Sequence, residues 1–209
     1  MAEGTIFIIS APSGAGKTSL IQKILSTRDD SVFSISYTTR PPRENEINGK
    51  DYFFIDNDKF RSMIAKNEFL EYANVHNYYY GTGKEYVFQN IQKGKNIILD
   101  IDYQGANIVK KNLSNTDIDV VSIFILPPSF EVLKERLINR GTDSEKVINT
   151  RLKNAKKEIE NSLNYDYLIV NDNFEEAFYN LNSIFNSNSL KARFMKNRVK
   201  NILKNYKLN

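Results

Sequence analysis

Cysteine is absent from this chain of 209 residues, so a disulfide framework, a thiolate metal site and a cysteine nucleophile are all excluded. Histidine occurs once, at His76, which rules out a multi-histidine metal cluster and leaves that residue as a loop position. No apolar run approaches the ~18 residues that would cross a membrane, and no charged-then-apolar leader stands before the first strand. A cytoplasmic protein without a membrane partner is therefore expected. Acidic residues are missing from residue 189 onward, where Lys191, Arg193, Lys196, Arg198, Lys200, Lys204 and Lys207 stand. The formal net charge of +4 thus belongs mostly to a terminal amphipathic helix that also carries Leu190, Phe194, Ile202, Leu203 and Tyr206. Docking of that helix on the core is the expectation, and nucleic-acid binding is not. Repeats and low-complexity linkers are also lacking, so any lobes are expected as insertions within one domain.

What is present is an alternation of strand and helix patterns. It predicts an α/β fold with a mainly parallel sheet flanked by helices. Strands are expected at Thr5–Ser10, Val32–Tyr37, Asn96–Asp102, Val120–Leu126 and Tyr167–Val170. Helices are expected at Lys17–Ser26, at Lys84–Lys93 closed by Gly94, at Gln104–Leu113, and at Phe130–Asn139 capped by Ser129. A capping box in Thr142-Asp143-Ser144-Glu145 predicts a long helix to about Leu163. Gly49–Asp56, Phe69–Val75 and Asn77–Lys84 read as a more irregular lobe around a helix at Lys59–Asn67.

Ala11-Pro12-Ser13-Gly14-Ala15-Gly16-Lys17-Thr18 follows the apolar run Ile6–Ile9 and leads into the first helix. Glycines there let backbone N–H groups turn inward around phosphate oxygens, and the helix aims its positive dipole end at them. Lys17 supplies a mobile cation for the β- and γ-phosphates of a nucleoside triphosphate, and the Thr18 hydroxyl suits Mg²⁺. The pattern G-x-x-x-x-G-K-[ST] is missed only at its first position, where Ala11 replaces glycine. A P-loop core is predicted.

Ser34–Arg43 is the second informative stretch, with Gly49-Lys50-Asp51-Tyr52 just beyond. Pro41 and Pro42 stiffen the loop between Arg40 and Arg43, so two planar guanidinium forks are held out of any helix. Such forks match phosphate oxygens, and a nearby tyrosine hydroxyl can join them. Taken alone the stretch fits a solvated loop equally well; behind a P-loop it reads as the seat of a second phosphate. Asp100 and Asp102 fall at the carboxyl end of a strand, where open α/β sheets bind ligands. Asp100 is the candidate for influencing Mg²⁺ through water, and Asp102 for contacting an acceptor base or capping the next helix. Arg136 and Arg140 share a helix face, and Arg151 follows on the next helix beyond Gly141. Phosphoryl transfer needs charge neutralisation rather than covalent help, so these arginines are candidates to meet phosphates. A solvated surface charge is the alternative for Arg136.

The motifs together resemble the guanylate kinase family. The resemblance runs from Thr5 to about Asn173 and rests on Ser10–Leu20, Ser34–Arg43, Gly49–Tyr52, Phe69–Glu71, Tyr79–Thr82, Leu99–Gly105, Glu135–Gly141 and Ile169–Asp172. It implies phosphorylation of GMP by ATP with Mg²⁺, with dGMP as a further candidate acceptor. It also implies a core over 1–34, 96–127 and 156–209, a GMP-binding lobe over 35–95 and a lid over 128–155. By resemblance Arg40, Arg43, Tyr52 and Tyr80 would hold the GMP phosphate, and Ser36, Glu71, Thr82 and Asp102 would surround guanine. Arg140 and Arg151 would reach the transferring phosphates, and Asn171 would contact adenine. Guanine presents N1–H and N2–H donors beside an O6 acceptor, which suits a carboxylate at Glu71 and a hydroxyl at Ser36. Adenine would set its N1 lone pair against that carboxylate, a mismatch of about 1–3 kcal/mol. Glu71 by itself would read as a solvent-facing strand residue.

Overall fold

Strand β1 (Thr5–Ser10) is apolar almost throughout, and all six of its residues are buried. A strand turns successive side chains to opposite faces, so a continuous apolar run is what a strand covered on both sides requires. Phe7 and Ile9 pack with Leu20, Ile24, Leu181 and Phe185 on one side. Ile6 and Ile8 pack with Val87, Ile91, Val109 and Leu113 on the other. The computed structural model describes residues 4–75, 77–139, 141, 144–204 and 206.

From β1 the chain passes through α1 (Lys17–Thr27), β2 (Ser31–Phe33), β3 (Tyr37–Thr38), β4 (Phe53–Phe54), α2 (Asn57–Ala65), β5 (Phe69–Val75) and β6 (Tyr78–Gly83). It continues through α3 (Lys84–Gln92), β7 (Asn96–Asp100), α4 (Tyr103–Leu113), β8 (Asp119–Leu126), α5 (Phe130–Asn139) and α6 (Glu145–Glu160). A 3-10 turn at Ser162–Asn164 then precedes β9 (Tyr167–Val170), α7 (Phe174–Ser189) and α8 (Ala192–Lys204). Five strands form a parallel sheet in the order β2-β7-β1-β8-β9. Helices α1 and α7 cover one face of it, and α3 and α4 the other. A second, mixed sheet in the order β4-β3-β6-β5 is packed on Phe60, Met63 and Phe69. Leu133, Leu137, Ile148 and Ala155 make a small separate cluster between α5 and α6. No helix among the described residues is long and apolar enough to cross a membrane.

The parallel α/β fold agrees with the sequence pattern, and several boundaries differ. Val32–Tyr37 is not one strand, because β2 joins the main sheet and β3 the second one. The segment from Asn96 stops at Asp100, since the Asp102 side chain accepts from Gly105 N at 2.9 Å and starts α4. Ser144 takes the N-cap position of α6 without a side-chain bond, and the helix ends at Glu160 rather than Leu163. Thr142 and Asp143 of the expected capping box lie outside the described residues, as does His76. Gly94, at φ 76°, closes α3 as expected, with Lys95 N donating back to Asn90 O. Ser129 Oγ likewise accepts from Val132 N at 3.2 Å at the start of α5. The basic helix α8 departs most from expectation, because none of its residues is buried. Its attachment lies at its start, where Lys191 and Arg193 pair with Asp119.

Candidate active site

The turn after β1 is an open cradle. Gly14 and Gly16 sit at φ 96° and 92°, a left-handed region that side chains with a Cβ rarely enter. Gly16 precedes α1 with no side-chain cap and no acidic residue in the first turn. The first N–H groups of α1 therefore face outward with no protein acceptor at the cap, where a phosphate suits them. Asn171, buried in the loop after β9, donates from Nδ2 to Ala15 O at 2.7 Å. A Cβ on Gly16 would stand 2.2 Å from that nitrogen. Arg136 Nη2 donates to Asn171 O at 3.0 Å, and Arg151 Nη1 to Ser13 Oγ at 2.7 Å. Thus the cradle is braced from behind by β9 and reached from above by α5 and α6.

Beside it lies a cavity of about 250 Å³, lined by Ser36, Tyr52, Glu71, Tyr80, Asp102 and Glu158 among others. Glu71 is placed by the β5–β6 pairing, where it stands opposite Thr82. The Thr82 hydroxyl donates to Glu71 Oε1 at 2.6 Å, and both residues are buried. Burial raises the Glu71 carboxyl to about 7, opposed by the Thr82 hydrogen bond and reinforced by the nearby Asp102 charge. Gly105 lets α4 come close, since a Cβ there would stand 3.1 Å from Glu71 Oε2. The loop after β7 is fixed by Ser10, whose hydroxyl donates to Ile101 O at 2.5 Å and accepts from the Tyr165 hydroxyl at 2.8 Å.

Between cradle and cavity, Lys17 Nζ donates to Asp100 Oδ1 in an ion pair. At the outer rim, Arg40 lies over the Tyr52 ring at 5.5 Å and pairs with Glu46 at 2.6 Å. Glu46 also accepts from Arg43 N at 2.8 Å, so one carboxylate folds the diproline loop back on itself. That pairing with Arg40 holds the Glu46 carboxyl below the usual range. Burial pushes the Tyr52 phenol up from its ordinary value.

The glycine cradle and the carboxylate-walled cavity, joined by Lys17, can be set beside what comparison with known proteins finds. A family model described as guanylate kinase matches residues 3–188. A guanylate kinase of Thermotoga maritima is 46% identical over 190 residues, covering 91% of this chain and 90% of that protein. One from Escherichia coli is 46% identical over 200 residues and covers 95% of each. The chain belongs to the guanylate kinase family. The crystal structure of guanylate kinase from Anaplasma phagocytophilum superimposes with a TM-score of 0.74 at 34% identity, covering 92% of this chain and 89% of that one. The family match ends at residue 188, before α8 begins.

Of the residues singled out in the sequence, Ser36, Tyr52, Glu71, Tyr80, Asp100 and Asp102 line one cavity. Thr82 stands behind Glu71, and Arg40 stands over Tyr52. Arg43 is exposed on the outer loop and does not line the cavity. Arg140 lies outside the described residues. Asn171 supports the cradle directly, and its Oδ1 is buried without a hydrogen-bond partner among the described residues. The sequence reading missed two residues, Glu46 and Glu158. Glu46 carried a legible signal, an acidic residue just past two arginines held on a diproline loop. Glu158 carried none, because only the packing of α6 brings it to the cavity.

Proposed function

We propose that this chain transfers the γ-phosphoryl group of ATP to GMP, giving ADP and GDP. The carrying observation is the buried Glu71–Thr82 pair at the inner end of a cavity that opens beside the cradle. In this reading Ala11–Thr18 wraps the ATP phosphates, Lys17 leaves Asp100 to meet the β- and γ-phosphates, and Asn171 Oδ1 accepts from adenine. Glu71 accepts from guanine N1–H and N2–H, with Ser36, Thr82 and Asp102 completing the base site. Tyr52, Tyr80, Arg40 and Arg43 hold the GMP phosphate. Arg136, Arg140 and Arg151 neutralise charge as the phosphoryl group moves, which is most of what this reaction asks of a protein. The core over 1–34, 96–127 and 156–209 stays fixed, while the lobe over 35–95 and the lid over 128–155 close and exclude water.

The donor set suits Mg²⁺ held together with ATP. The Thr18 hydroxyl has no protein partner among the described residues and Asp100 is the adjacent carboxylate, while no group of three metal-ligating side chains occurs among them. One or two protein oxygens, with phosphates and water filling the rest, is how Mg²⁺ is bound in such sites. The ion supplies charge neutralisation on the phosphates when bound. A steady-state assay with ATP and each of GMP, AMP, UMP and TMP tests the whole reading. GMP should be the preferred acceptor by kcat/KM; faster phosphorylation of any of the other three refutes it.

A further inference from the structure

One wall of the acceptor cavity is left unused by this chemistry. Glu158, on α6, lines the cavity beside Asp100, Ile101 and Asp102. Its carboxylate is half-buried and makes no hydrogen bond or ion pair with another described residue. The other carboxylates there are engaged: Asp100 with Lys17, Asp102 with Gly105 N, and Glu71 with Thr82. A carboxylate kept from water without a donor is unfavourable, and burial raises Glu158 to about 7, opposed by the Lys17 charge and reinforced by the Asp102 charge. A ligand donor at this point removes that penalty.

The chemistry of the ligand follows from where its ends are held. With the base against Glu71 and the phosphate against Tyr52 and Tyr80, the part of a nucleoside monophosphate left over is the ribose. Its vicinal hydroxyls are two donors, and one carboxylate offers two oxygens to receive them. We propose that Glu158 accepts hydrogen bonds from the ribose hydroxyls of the acceptor nucleotide, so that the sugar is recognised as well as the base and phosphate. The proposal rests on the GMP reading above. Glu158 also stands seven residues after Arg151, about two helical turns and on the same face of α6. Arg151 touches Ser13 of the cradle at 2.7 Å. A single helix face thereby meets both nucleotides, with Glu158 at its core end and Arg151 in the part assigned to the lid.

The test uses the full chain with saturating ATP and three acceptors: GMP, dGMP and 2′,3′-dideoxy-GMP. For the parent chain, kcat/KM should fall roughly 10–100-fold from GMP to the dideoxy compound, the range for hydrogen bonds to a charged acceptor, with dGMP between. For Glu158→Ala the three acceptors should fall within about two-fold of one another, with the loss on GMP appearing mainly in KM. Glu158→Gln keeps shape and one carbonyl acceptor, so its ratio should be intermediate; should Glu158→Ala not fold, this variant carries the same comparison. A structural role alone would lower activity on all three acceptors equally. A GMP to dideoxy-GMP ratio that survives removal of the carboxylate overturns the proposal and leaves the kinase reading standing. A parent chain that does not phosphorylate GMP overturns both.

Discussion

Replacing Glu71 with glutamine tests base recognition at its most exposed point. The Glu71 carboxyl is raised to about 7 by burial, whereas guanine with donors at N1 and N2 requires the ionised form. GMP therefore has to displace a proton, and the apparent KM grows with proton concentration below that value. For one such group the expected KM is about tenfold higher at pH 6 than at pH 8. In Glu71→Gln the Thr82 hydroxyl, 2.6 Å from Oε1, keeps hold of the amide oxygen and turns the NH₂ toward the guanine donors. Loss of a charged hydrogen bond of about 1.5–3 kcal/mol lowers kcat/KM for GMP roughly 10–100-fold, while AMP is little affected. Coupled steady-state assays on both proteins from pH 6 to 8 measure this. The substrate phosphate titrates near 6 as well, but that component is common to both proteins, so their difference isolates Glu71. Unchanged GMP/AMP selectivity, or the same pH profile in the variant, would refute the assignment.

Glu71 also makes a stability prediction: its folded-state value of about 7 lies above the ordinary 4.5, so the folded protein holds the proton more tightly. Its contribution is then full below about pH 4.5 and is lost as pH rises through about 7, by on the order of 3 kcal/mol, and guanidinium denaturation should give a flatter pH dependence for Glu71→Gln. Lys17→Ala should abolish most turnover with an unchanged circular dichroism spectrum; near-normal turnover in that folded variant removes the P-loop assignment. Arg140→Ala and Arg151→Ala should each lower kcat roughly 10³-fold with much smaller changes in KM, whereas Arg43→Ala should raise the KM for GMP too. Lid variants that act on KM alone would make those arginines binding residues. Gly16→Ala sets a Cβ 2.2 Å from Asn171 Nδ2 at φ 92°, so it should cost about 1–3 kcal/mol and raise the KM for ATP; equilibrium denaturation and ATP titration read both effects.

The parallel core was legible because β1 announces itself through unbroken apolar sequence and the cradle through glycines at Gly14 and Gly16, whose left-handed backbone other residues rarely adopt. The base site was legible only as a resemblance. Glu71 in isolation reads as a solvent-facing strand carboxylate, and its burial comes from Gly105 and α4, which lie more than thirty residues further on. The break after β2 was hidden because Val32–Tyr37 is uniformly strand-like, and nothing local says that two different sheets divide it. Apolar periodicity in the tail suggested a docked helix. Periodicity marks an apolar stripe, whereas docking needs a complementary surface, and α8 has no buried residue. Glu158 lay beyond reach because a shift of one residue turns a helical side chain by about 100°, and no local signal says which face of α6 meets the cavity.

The strand order β2-β7-β1-β8-β9 also has a consequence for synthesis on the ribosome. The strand that carries the cradle is made first, yet its two partners begin at Asn96 and Asp119. Closing such long loops precedes any pairing gain, so β1 remains without sheet partners while the first half of the chain emerges. The brace from Asn171 arrives later still. Nascent chains stalled before β9 is made should therefore fail to retain ATP, even though every glycine of the cradle is already in place. On this order, nucleotide capture should come at the end of folding, and ligand should stabilise only chains that have closed the sheet.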